Sequence, residues 1–334
     1  MTAAILPPAL RPGDTVSIVS PSWGGPGEVP ARFERGVHAL EAYGYRVRVM
    51  PNARGVDRWV SGSAAERAAD LHQAFADDEV RGVLCTIGGN HSAAVLPLLD
   101  FDLIAAHPKV FAGYSDITSL HLAIHAMTGL VTFYGPAVMP SWGEPPEPFA
   151  ETVDWWTRAV AAPRPVGTIS SPGWYTEIIS WTDDESTVRE RRPAAPTRLL
   201  RDGSATGPLI AGCLPSYRHL PGTPWLPDFT GAVVHLETPE PPYTPEEVDA
   251  DLTHLRNAGL LAAAAAVTVG RPLNFTDEQA GLLHELVLAA TADYGYPVLV
   301  DLDCGHTDPM ATLPIGVRAT VDGRGLTVED PAVR

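Results

Sequence analysis

The sequence is poor in cysteine and in positive charge. Its three cysteines, Cys85, Cys213 and Cys304, lie far apart in 334 residues and form no Cys-x-x-Cys pair, which argues against a disulfide framework and a zinc knuckle. The 23 lysine and arginine residues against 40 aspartate and glutamate residues give a net charge of −17. This balance argues against nucleic acid and anionic membranes as partners, because both select basic surfaces.

Long hydrophobic runs are also absent. The most apolar stretch, residues 260–269, is shorter than the roughly 20 residues that a membrane helix needs. The first residues lack the basic region and the long apolar core of a signal peptide. We therefore expect a cytoplasmic, reduced location and no membrane partner. Apolar residues make up 45% of the chain, enough for a sizeable core, and the length predicts two domains.

Short apolar runs alternate with helical patterns from residue 1 to about residue 165, with helices expected at 30–43 and 64–76. This alternation predicts a parallel β-sheet with helices on both faces. In such sheets functional residues collect at the carboxyl ends of the strands. Two of these ends are candidates for a site, namely Gly88-Gly89-Asn90 and Ser115.

The alternation fails between residues 166 and 207, a polar segment that carries Trp174 and Trp181. Long polar segments with aromatic residues are often functional. We interpret this one as a substrate-facing loop or linker. The alternative is that the two indoles only pin the segment to the body of the protein.

Strands and helices are mixed from residue 208 onward, and a short strand is expected near 315–321. The mixture predicts a smaller, partly barrel-like α+β domain. The predicted organisation is an α/β parallel-sheet domain at 1–165, the segment at 166–207, and a second domain at 208–334.

Ser115 stands between an apolar strand and a run with helical spacing, in Gly113-Tyr114-Ser115-Asp116-Ile117. A hydroxyl at such a junction is pushed out of the sheet, beside backbone N–H groups that the start of the helix leaves unpaired. These groups can hold the negative charge that develops on a carbonyl under attack. The arrangement is typical of a nucleophile elbow, although a serine that only caps a helix is also common.

A serine nucleophile needs a base, and the base needs a third group that fixes its tautomer. His306 follows an apolar strand in a glycine-containing turn, where catalytic side chains commonly lie. Glu237 ends another apolar strand, and its carboxylate could accept from one imidazole nitrogen while the other faces Ser115. The alternative for Glu237 is an ion pair with a nearby arginine. The predicted set is Ser115, Glu237 and His306, contributed by both domains.

Four segments carry motifs in a specific order. They are Thr86-Ile87-Gly88-Gly89-Asn90, Gly113-Tyr114-Ser115-Asp116-Ile117-Thr118, Leu226-Pro227-Asp228-Phe229-Thr230-Gly231 with the strand to Glu237, and Gly305-His306-Thr307-Asp308-Pro309 followed by Leu313-Pro314-Ile315-Gly316. Together they resemble the LD-carboxypeptidase family of serine peptidases. The resemblance implies a flavodoxin-like N-terminal domain, a smaller, swivelling C-terminal domain with a β-barrel-like sheet, and an active site between them.

The resemblance also implies roles for individual residues. By position in the motifs, Ser115 is the nucleophile, His306 the base and Glu237 its orienter. The oxyanion donors would be the backbone N–H groups of Gly89 and Asp116. Members of the family are often homodimers and need neither a metal nor an organic cofactor, so we expect a homodimer without cofactors.

Within the family, the chain resembles the microcin C immunity branch (MccF-like) more than the murein carboxypeptidases. A Gly-Gly-Asn-His motif at 88–91 replaces a Gly-Gly-Tyr-Gly type, and the segment 166–207 resembles the longer loop of the immunity proteins. An indole from that loop can stack on a planar group such as a nucleobase. The resemblance therefore implies cleavage of a peptidyl- or aminoacyl-nucleotide-type antibiotic. The expected substrate-binding residues are Gly88, Asn90, Trp174 and Trp181.

Other functions remain open from the sequence. The same triad could serve a murein tetrapeptide, or transfer the acyl group to an amine instead of water. Gly88-Gly89 after a strand leaves room for a non-enzymatic nucleotide binder. His121 and His125 have the spacing of a metal pair, although the glutamate of a His-Glu-x-x-His motif is missing. Cys304 is a rival nucleophile, but it lies only two residues from His306, and such close neighbours seldom face each other.

Overall fold

The computed structural model describes residues 4–177, 181 and 188–334. In chain order, its strands are β1 Thr15–Val19, β2 Arg46–Val49, β3 Val80–Cys85, β4 Val110–Gly113, β5 Thr132–Tyr134, β6 Pro165–Thr168, β7 Trp174–Tyr175, β8 Arg192–Pro193, β9 Arg198–Arg201, β10 Ala205–Cys213, β11 Val233–Glu237, β12 Ala266–Gly270, β13 Val298–Leu302, β14 Leu313–Ile315, β15 Arg318–Asp322 and β16 Gly325–Pro331.

Helices connect many of these strands. They are α1 Gly25–Glu28, α2 Pro30–Tyr43, α3 Ala64–Ala76, α4 Phe101–Ala106, α5 Thr118–Thr128, α6 Ala150–Val160, α7 Leu214–Tyr217, α8 Pro245–Asn257, α9 Leu260–Ala263 and α10 Asp277–Ala290, with 3₁₀ segments at Ser92–Leu98 and Ser115–Ile117 and a π-helical turn at Val138–Trp142. None of the helices described is both long and apolar enough to cross a bilayer.

The first sheet has the strand order β14-β5-β4-β3-β1-β2. Strands β1 to β5 run parallel, and every residue of β1, β4 and β5 is buried. Near-continuous apolar strands of this kind are expected where helices cover both faces of a parallel sheet. Ser115 follows β4, and residues 88–90 follow β3, so both candidate segments lie at the carboxyl edge of this sheet.

The second sheet has the order β6-β16-β15-β10-β11-β12-β13-β9. Its central strands β10 to β13 are parallel, and antiparallel strands complete it on both sides. Strands β6 and β9 come from the ends of the segment 166–207, so part of this segment belongs to the second sheet. Residues 178–180 and 182–187 of the segment lie outside the described residues. The predicted fold class, a parallel α/β sheet followed by a second sheet unit, is confirmed.

Strand β14 crosses from the second half of the chain to the first sheet, where it pairs antiparallel with β5. The single strand expected near 315–321 is therefore two strands, one in each sheet. Gly316 separates them with a φ of 89°, and a Cβ there would lie 2.2 Å from the imidazole of His125. A residue with a side chain could not adopt this backbone without displacing that ring.

Helix α3 shows how local sequence sets an element boundary. The Oγ of Ser63 accepts from the backbone N–H of Glu66 at 3.3 Å, and the Glu66 carboxylate accepts from the backbone N–H of Ser63 at 2.9 Å. This reciprocal capping box satisfies two donors that the first helical turn would leave unpaired. The buried face of α3 carries Leu71 and Phe75 into the core of the first half.

Replacing Ser63 with alanine is expected to lower the free energy of unfolding by about 1 kcal/mol, because the N-cap acceptor is lost. Urea denaturation followed by circular dichroism measures the change. Ser204→Ala, in an exposed turn between β9 and β10, is the matched control and should leave the midpoint unchanged. An equal midpoint for Ser63→Ala and the wild type would show that this cap adds nothing to stability.

Candidate active site

The turn that carries Ser115 is held in an unusual conformation. Ser115 has a φ of 62°, a left-handed backbone that residues with a side chain seldom adopt. Its N–H donates to the hydroxyl of Tyr134 at 3.0 Å, and its carbonyl accepts from Oγ1 of Thr118 at 2.6 Å. These contacts on both sides of the residue hold the turn in place.

The two glycines after β3 allow the backbone to approach this turn. A Cβ at Gly88 would lie 2.7 Å from Cβ of Ser115 and 2.9 Å from its Oγ. Gly89 has a φ of 137°, and a Cβ there would lie 2.6 Å from Oγ of Ser22. A larger residue at 88 would therefore push the backbone away from the serine hydroxyl, and one at 89 would collide with Ser22.

The side chain of Asp116 is used to build the turn. Its Oδ2 accepts from Oγ of Ser22 at 2.6 Å and from the N–H of Ser92 at 2.7 Å. Its backbone carbonyl accepts from Oγ of Ser92 at 2.6 Å. The carboxylate thus joins the loops that follow β1, β3 and β4 through its Oδ2. Its Oδ1 is buried and has no hydrogen-bond partner among the described residues.

The structure brings the three residues of the predicted set together. Nε2 of His306 lies 3.1 Å from Oγ of Ser115, and Nδ1 of His306 lies 2.7 Å from Oε2 of Glu237. Their relative exposures are 3% for His306, 9% for Ser115 and 1% for Glu237. A carboxylate that faces Nδ1 favours the tautomer with the proton there. The lone pair of Nε2 can then accept a proton from the serine hydroxyl.

Tyr134 connects the serine turn to the carboxylate. Its hydroxyl accepts from the N–H of Ser115 and donates to Oε1 of Glu237. Burial raises the pKa of Tyr134 well above its usual value, and the negative charge of Glu237 raises it further, so the hydroxyl keeps its proton. Sequence reasoning missed this residue, although it ends strand β5 beside the strand that leads into Ser115.

The ionisation of His306 and Glu237 is set by their contact. Burial alone would lower the pKa of His306, but the carboxylates of Glu237 and Glu240 outweigh burial and raise it above its ordinary value. Burial alone would raise the pKa of Glu237, but His306 and the hydroxyl of Tyr134 hold it below its ordinary value. The pair is therefore stabilised in its charged form. Glu240, which sequence reasoning also missed, lies with Oε2 3.1 Å from Nε2 of His306.

A cavity of about 580 Å³ opens from Ser115. Three indoles line it, from Trp23, Trp59 and Trp181, together with the predicted residues Gly88, Gly89 and Asn90. Of these indoles, sequence reasoning found only Trp181. The position of Trp23 after β1, at the carboxyl edge of the sheet, could have predicted it as a site residue. Trp59 lies in an irregular turn, for which the sequence pattern predicts no such role.

Trp181 is held over the cavity by neighbouring side chains. Its ring stacks on that of Trp23, with centroids 6.1 Å apart and planes 26° apart. The guanidinium of Arg32 lies 4.4 Å from the centre of the Trp181 ring, a cation–π contact that fixes the indole from another side. The indole Nε1 of Trp181 is buried and has no hydrogen-bond partner among the described residues.

The structure does not bring Trp174 to this cavity. Trp174 lies on β7, where its ring packs against Phe149 with centroids 5.4 Å apart. The guanidinium of Arg191 lies 4.0 Å from the ring centre on another side. The contacts of Trp174 are therefore those of a residue that pins the segment to the body of the protein, the alternative considered from the sequence.

The rival sites find less support in the structure. Nε2 of His121 lies 2.9 Å from the carbonyl of Gly113, and Nδ1 of His125 lies 3.3 Å from that of Leu130. One nitrogen of each ring is thus in contact with a backbone carbonyl. Cys304 is fully buried, and burial raises the pKa of its thiol, which disfavours the thiolate. Within the described ranges, the cluster with metal-ligand spacing is Cys213, Glu237 and His306, of which two already pair with each other.

Comparison with known proteins identifies the family. The model of the LD-carboxypeptidase N-terminal domain matches residues 16–135, and that of the C-terminal domain matches residues 206–321. The chain belongs to the LD-carboxypeptidase family. It is therefore an enzyme of the peptidase class, and the interpretation as a non-enzymatic nucleotide binder falls away. The predicted family and enzyme class are confirmed.

The names of related proteins in the LD-carboxypeptidase family describe two different roles, murein peptide cleavage and self-immunity to microcin C7. The chain is 33% identical to a probable murein peptide carboxypeptidase of Bacillus subtilis, over 98% of this chain and 93% of that protein. It is 30% identical to the microcin C7 self-immunity protein MccF of Escherichia coli, over 95% of this chain and 93% of that protein. A solved structure of MccF in complex with aspartyl sulfamoyl adenosine superposes with a TM-score of 0.90 at 27% identity, covering 99% of this chain and 100% of that one.

Replacing Tyr134 with phenylalanine is expected to lower the free energy of unfolding by about 1–3 kcal/mol, because the buried N–H of Ser115 loses its acceptor and Glu237 loses a donor. Thermal and urea denaturation measure the loss. Tyr296→Phe is the matched control, since its hydroxyl donates to one backbone carbonyl, that of Leu261, away from the site. Equal losses for the two variants would argue against a special role of Tyr134.

Proposed function

We propose that this member of the LD-carboxypeptidase family is a serine hydrolase that cleaves an amide bond through an acyl-enzyme, with Ser115 as nucleophile, His306 as base and Glu237 as orienter. The proposal is carried by the 3.1 Å and 2.7 Å contacts that join Oγ, the imidazole and the carboxylate. Proton transfer through a positioned imidazole turns a poor nucleophile into a reactive one.

In the first step His306 accepts the proton of Ser115 at Nε2 while Oγ attacks the amide carbonyl. The negative charge that forms on the carbonyl oxygen is held by the backbone N–H groups of Gly89 and Asp116. This assignment is supported by the close approach of Gly88, the residue before Gly89, to Ser115 and to the backbone N of Asp116. Donors that are already in place before the reaction stabilise the developing charge without reorganisation.

The imidazolium then protonates the leaving amine, and the C–N bond breaks to leave an ester on Ser115. Water enters, gives its proton to Nε2 of His306, and its oxygen attacks the ester carbonyl. Collapse of the second intermediate returns the proton to Oγ and releases the acid. Glu237 holds the imidazole in orientation throughout and stabilises its positive charge.

The aromatic cavity beside Ser115 supports a proposal for the substrate class. Its three indoles form apolar plates that suit a planar group, and stacking tolerates different bases. We propose that the substrate is an aminoacyl or peptidyl amide of a nucleotide-like group, and that the biological role is self-immunity to, or detoxification of, such an antibiotic. The likeness to MccF in complex with aspartyl sulfamoyl adenosine supports this substrate class.

A murein tetrapeptide carboxypeptidase is the second candidate. It is supported by the 33% identity to the probable murein peptide carboxypeptidase of Bacillus subtilis.

We further propose that the protein acts in the cytoplasm as a homodimer. The free thiols of its three cysteines, all buried, are compatible with a reduced compartment.

Replacing Ser115 with alanine is expected to lower kcat by about 10⁴-fold or more on the true substrate, as loss of the nucleophile does in other triads. Hydrolysis of an aminoacyl sulfamoyl adenosine and of an L,D-linked murein tetrapeptide is followed in parallel by mass spectrometry. Cleavage of the nucleoside substrate alone supports the first candidate, whereas cleavage of the tetrapeptide alone supports the second.

The controls separate loss of chemistry from loss of fold. Ser119→Ala, one helical turn further on α5, should keep full activity because Oγ of Ser119 faces His219 at 3.3 Å. A serine-reactive phosphonate should label the wild type at Ser115 and leave Ser115→Ala unlabelled. Near-normal turnover by Ser115→Ala on either substrate would remove the assignment.

Replacing Trp181 with alanine is expected to weaken binding of adenosine monophosphate by about 5- to 100-fold, because one aromatic plate of the cavity is lost. Isothermal titration calorimetry measures the affinity. Trp174→Ala is the matched control, since that indole lies outside the cavity lining, and its affinity should equal that of the wild type. A loss in Trp174→Ala with none in Trp181→Ala would reverse the assignment of the two residues.

A further inference from the structure

Glu240 contacts the nitrogen that the reaction needs. Its Oε2 lies 3.1 Å from Nε2 of His306, which also lies 3.1 Å from Oγ of Ser115. A neutral imidazole with its proton on Nδ1 offers only a lone pair at Nε2, and a carboxylate oxygen cannot donate to it. The contact with Glu240 therefore requires a protonated His306. A protonated imidazole cannot accept the proton of Ser115.

The carboxylate of Glu240 must consequently leave Nε2 before the serine is activated. The side chain of Glu240 is 60% exposed, whereas that of His306 is 3% exposed. Exposure to water leaves Glu240 free to rotate, while the imidazole is fixed by its contact with Glu237. Glu240 is thus the member of this cluster that can move. A positive group on the substrate would give the departing carboxylate a new partner.

The pocket on this side of Ser115 is acidic. A second cavity, of about 360 Å³, is lined by Ser115, Glu240, Glu247 and Asp251. Arg218 also lines this cavity, and its guanidinium lies 3.8 Å from Asp251. The carboxylate next to the reacting atoms is therefore not neutralised by this arginine.

The carboxylates of Glu247 and Asp251 already have other hydrogen-bond partners. Glu247 accepts from the N–H of Thr244 at 2.7 Å and caps helix α8. Asp251 accepts from the hydroxyl of Tyr243 at 2.8 Å. Glu240 thus differs from both, because its side chain contacts the base itself.

We propose that Glu240 binds a free α-ammonium group on the acyl part of the substrate, and so selects aminoacyl groups over N-blocked peptidyl groups. The α-ammonium is carried by the carbon next to the attacked carbonyl, which places it beside Ser115 and within reach of a side chain that touches the base. In a longer peptide the nitrogen at this position is part of an amide and is neutral. The inference deepens the proposed function and rests on Ser115 as the nucleophile.

Two substrates that differ in one group test the selection. Alanyl sulfamoyl adenosine carries the α-ammonium, and lactyl sulfamoyl adenosine carries a neutral hydroxyl in its place. We expect the wild type to prefer the alanyl compound by about 10- to 100-fold in kcat/KM, the range of a hydrogen bond to a charged partner. Glu240→Gln, which keeps the shape and removes the charge, should reduce that preference to about threefold or less.

The matched control is Glu246→Gln. Glu246 is an exposed carboxylate in the first turn of α8 and is not part of the cavity lining, so this variant should keep the wild-type preference. Comparing the ratio of the two substrates within each variant cancels their different intrinsic reactivity. N-acetylalanyl sulfamoyl adenosine is a third substrate, whose α-nitrogen is a neutral amide as in a longer peptide. Its kcat/KM should be close to that of the lactyl compound.

The pH profile supplies a readout that a purely structural role would not move. The groups that face His306 are Glu237, Glu240, the ring of Tyr114 and the nearby Cys213 thiol. Burial raises the pKa of both Tyr114 and Cys213, so they stay neutral. Removing the charge of Glu240 lowers the pKa of His306, and the acidic limb of kcat/KM should therefore move to lower pH in Glu240→Gln.

Binding without turnover completes the test. The alanyl and lactyl compounds are titrated into Ser115→Ala and into Ser115→Ala combined with Glu240→Gln. A preference for the alanyl compound that disappears with Glu240 supports the inference. Equal affinity for both compounds in Ser115→Ala, or a preference that survives Glu240→Gln, overturns it. Absence of phosphonate labelling at Ser115 would instead count against the proposed function, whatever the binding preference.

Discussion

The buried carboxylate of Glu237 is the constraint on which the site depends. A charge at 1% exposure is very unfavourable unless hydrogen bonds and an opposite charge compensate it. His306 provides one partner from the second half of the chain, and Tyr134 provides another from the first sheet. Because Tyr134 also binds the N–H of Ser115, the same hydroxyl fixes the serine turn relative to the imidazole. Docking the sheets differently would leave this charge unpaired.

The path of the chain enforces the same arrangement. Strand β13 belongs to the second sheet and β14 to the first, so the loop that carries His306 must cross the boundary between them. Arg189 holds this loop through buried ion pairs with Asp308 at 2.7 Å and with Glu144 at 2.8 Å. The imidazole is therefore positioned by elements on both sides of the boundary.

Much of this arrangement could be predicted from sequence, because apolar runs reveal parallel strands and parallel strands end at one edge. Ser115, Gly88 and Gly89 were found in that way, and helices α2 and α3 lie where their periodicity indicated. Tyr134 was missed because, in the hydrophobic pattern, a tyrosine at the end of a strand counts as one more apolar residue. Its hydroxyl has a role only because the fold places Glu237 opposite it. The transfer of β14 to the first sheet depends on pairing between distant segments, which local periodicity does not encode.

Recognition on the two sides of Ser115 rests on different physics. The aromatic cavity and the acidic pocket share Ser115 and Glu240 in their linings, so a carbonyl under attack would lie where they meet. Stacking on indoles depends on a planar face and distinguishes poorly between bases, whereas the carboxylate of Glu240 discriminates by charge, because a neutral group offers it no opposite charge. On the proposed assignment, the leaving group is therefore accepted by shape, and the acyl group is selected by charge. Selectivity in such a site would evolve through substitutions at the acidic pocket, because changes there alter both which acyl group binds and when the base becomes free.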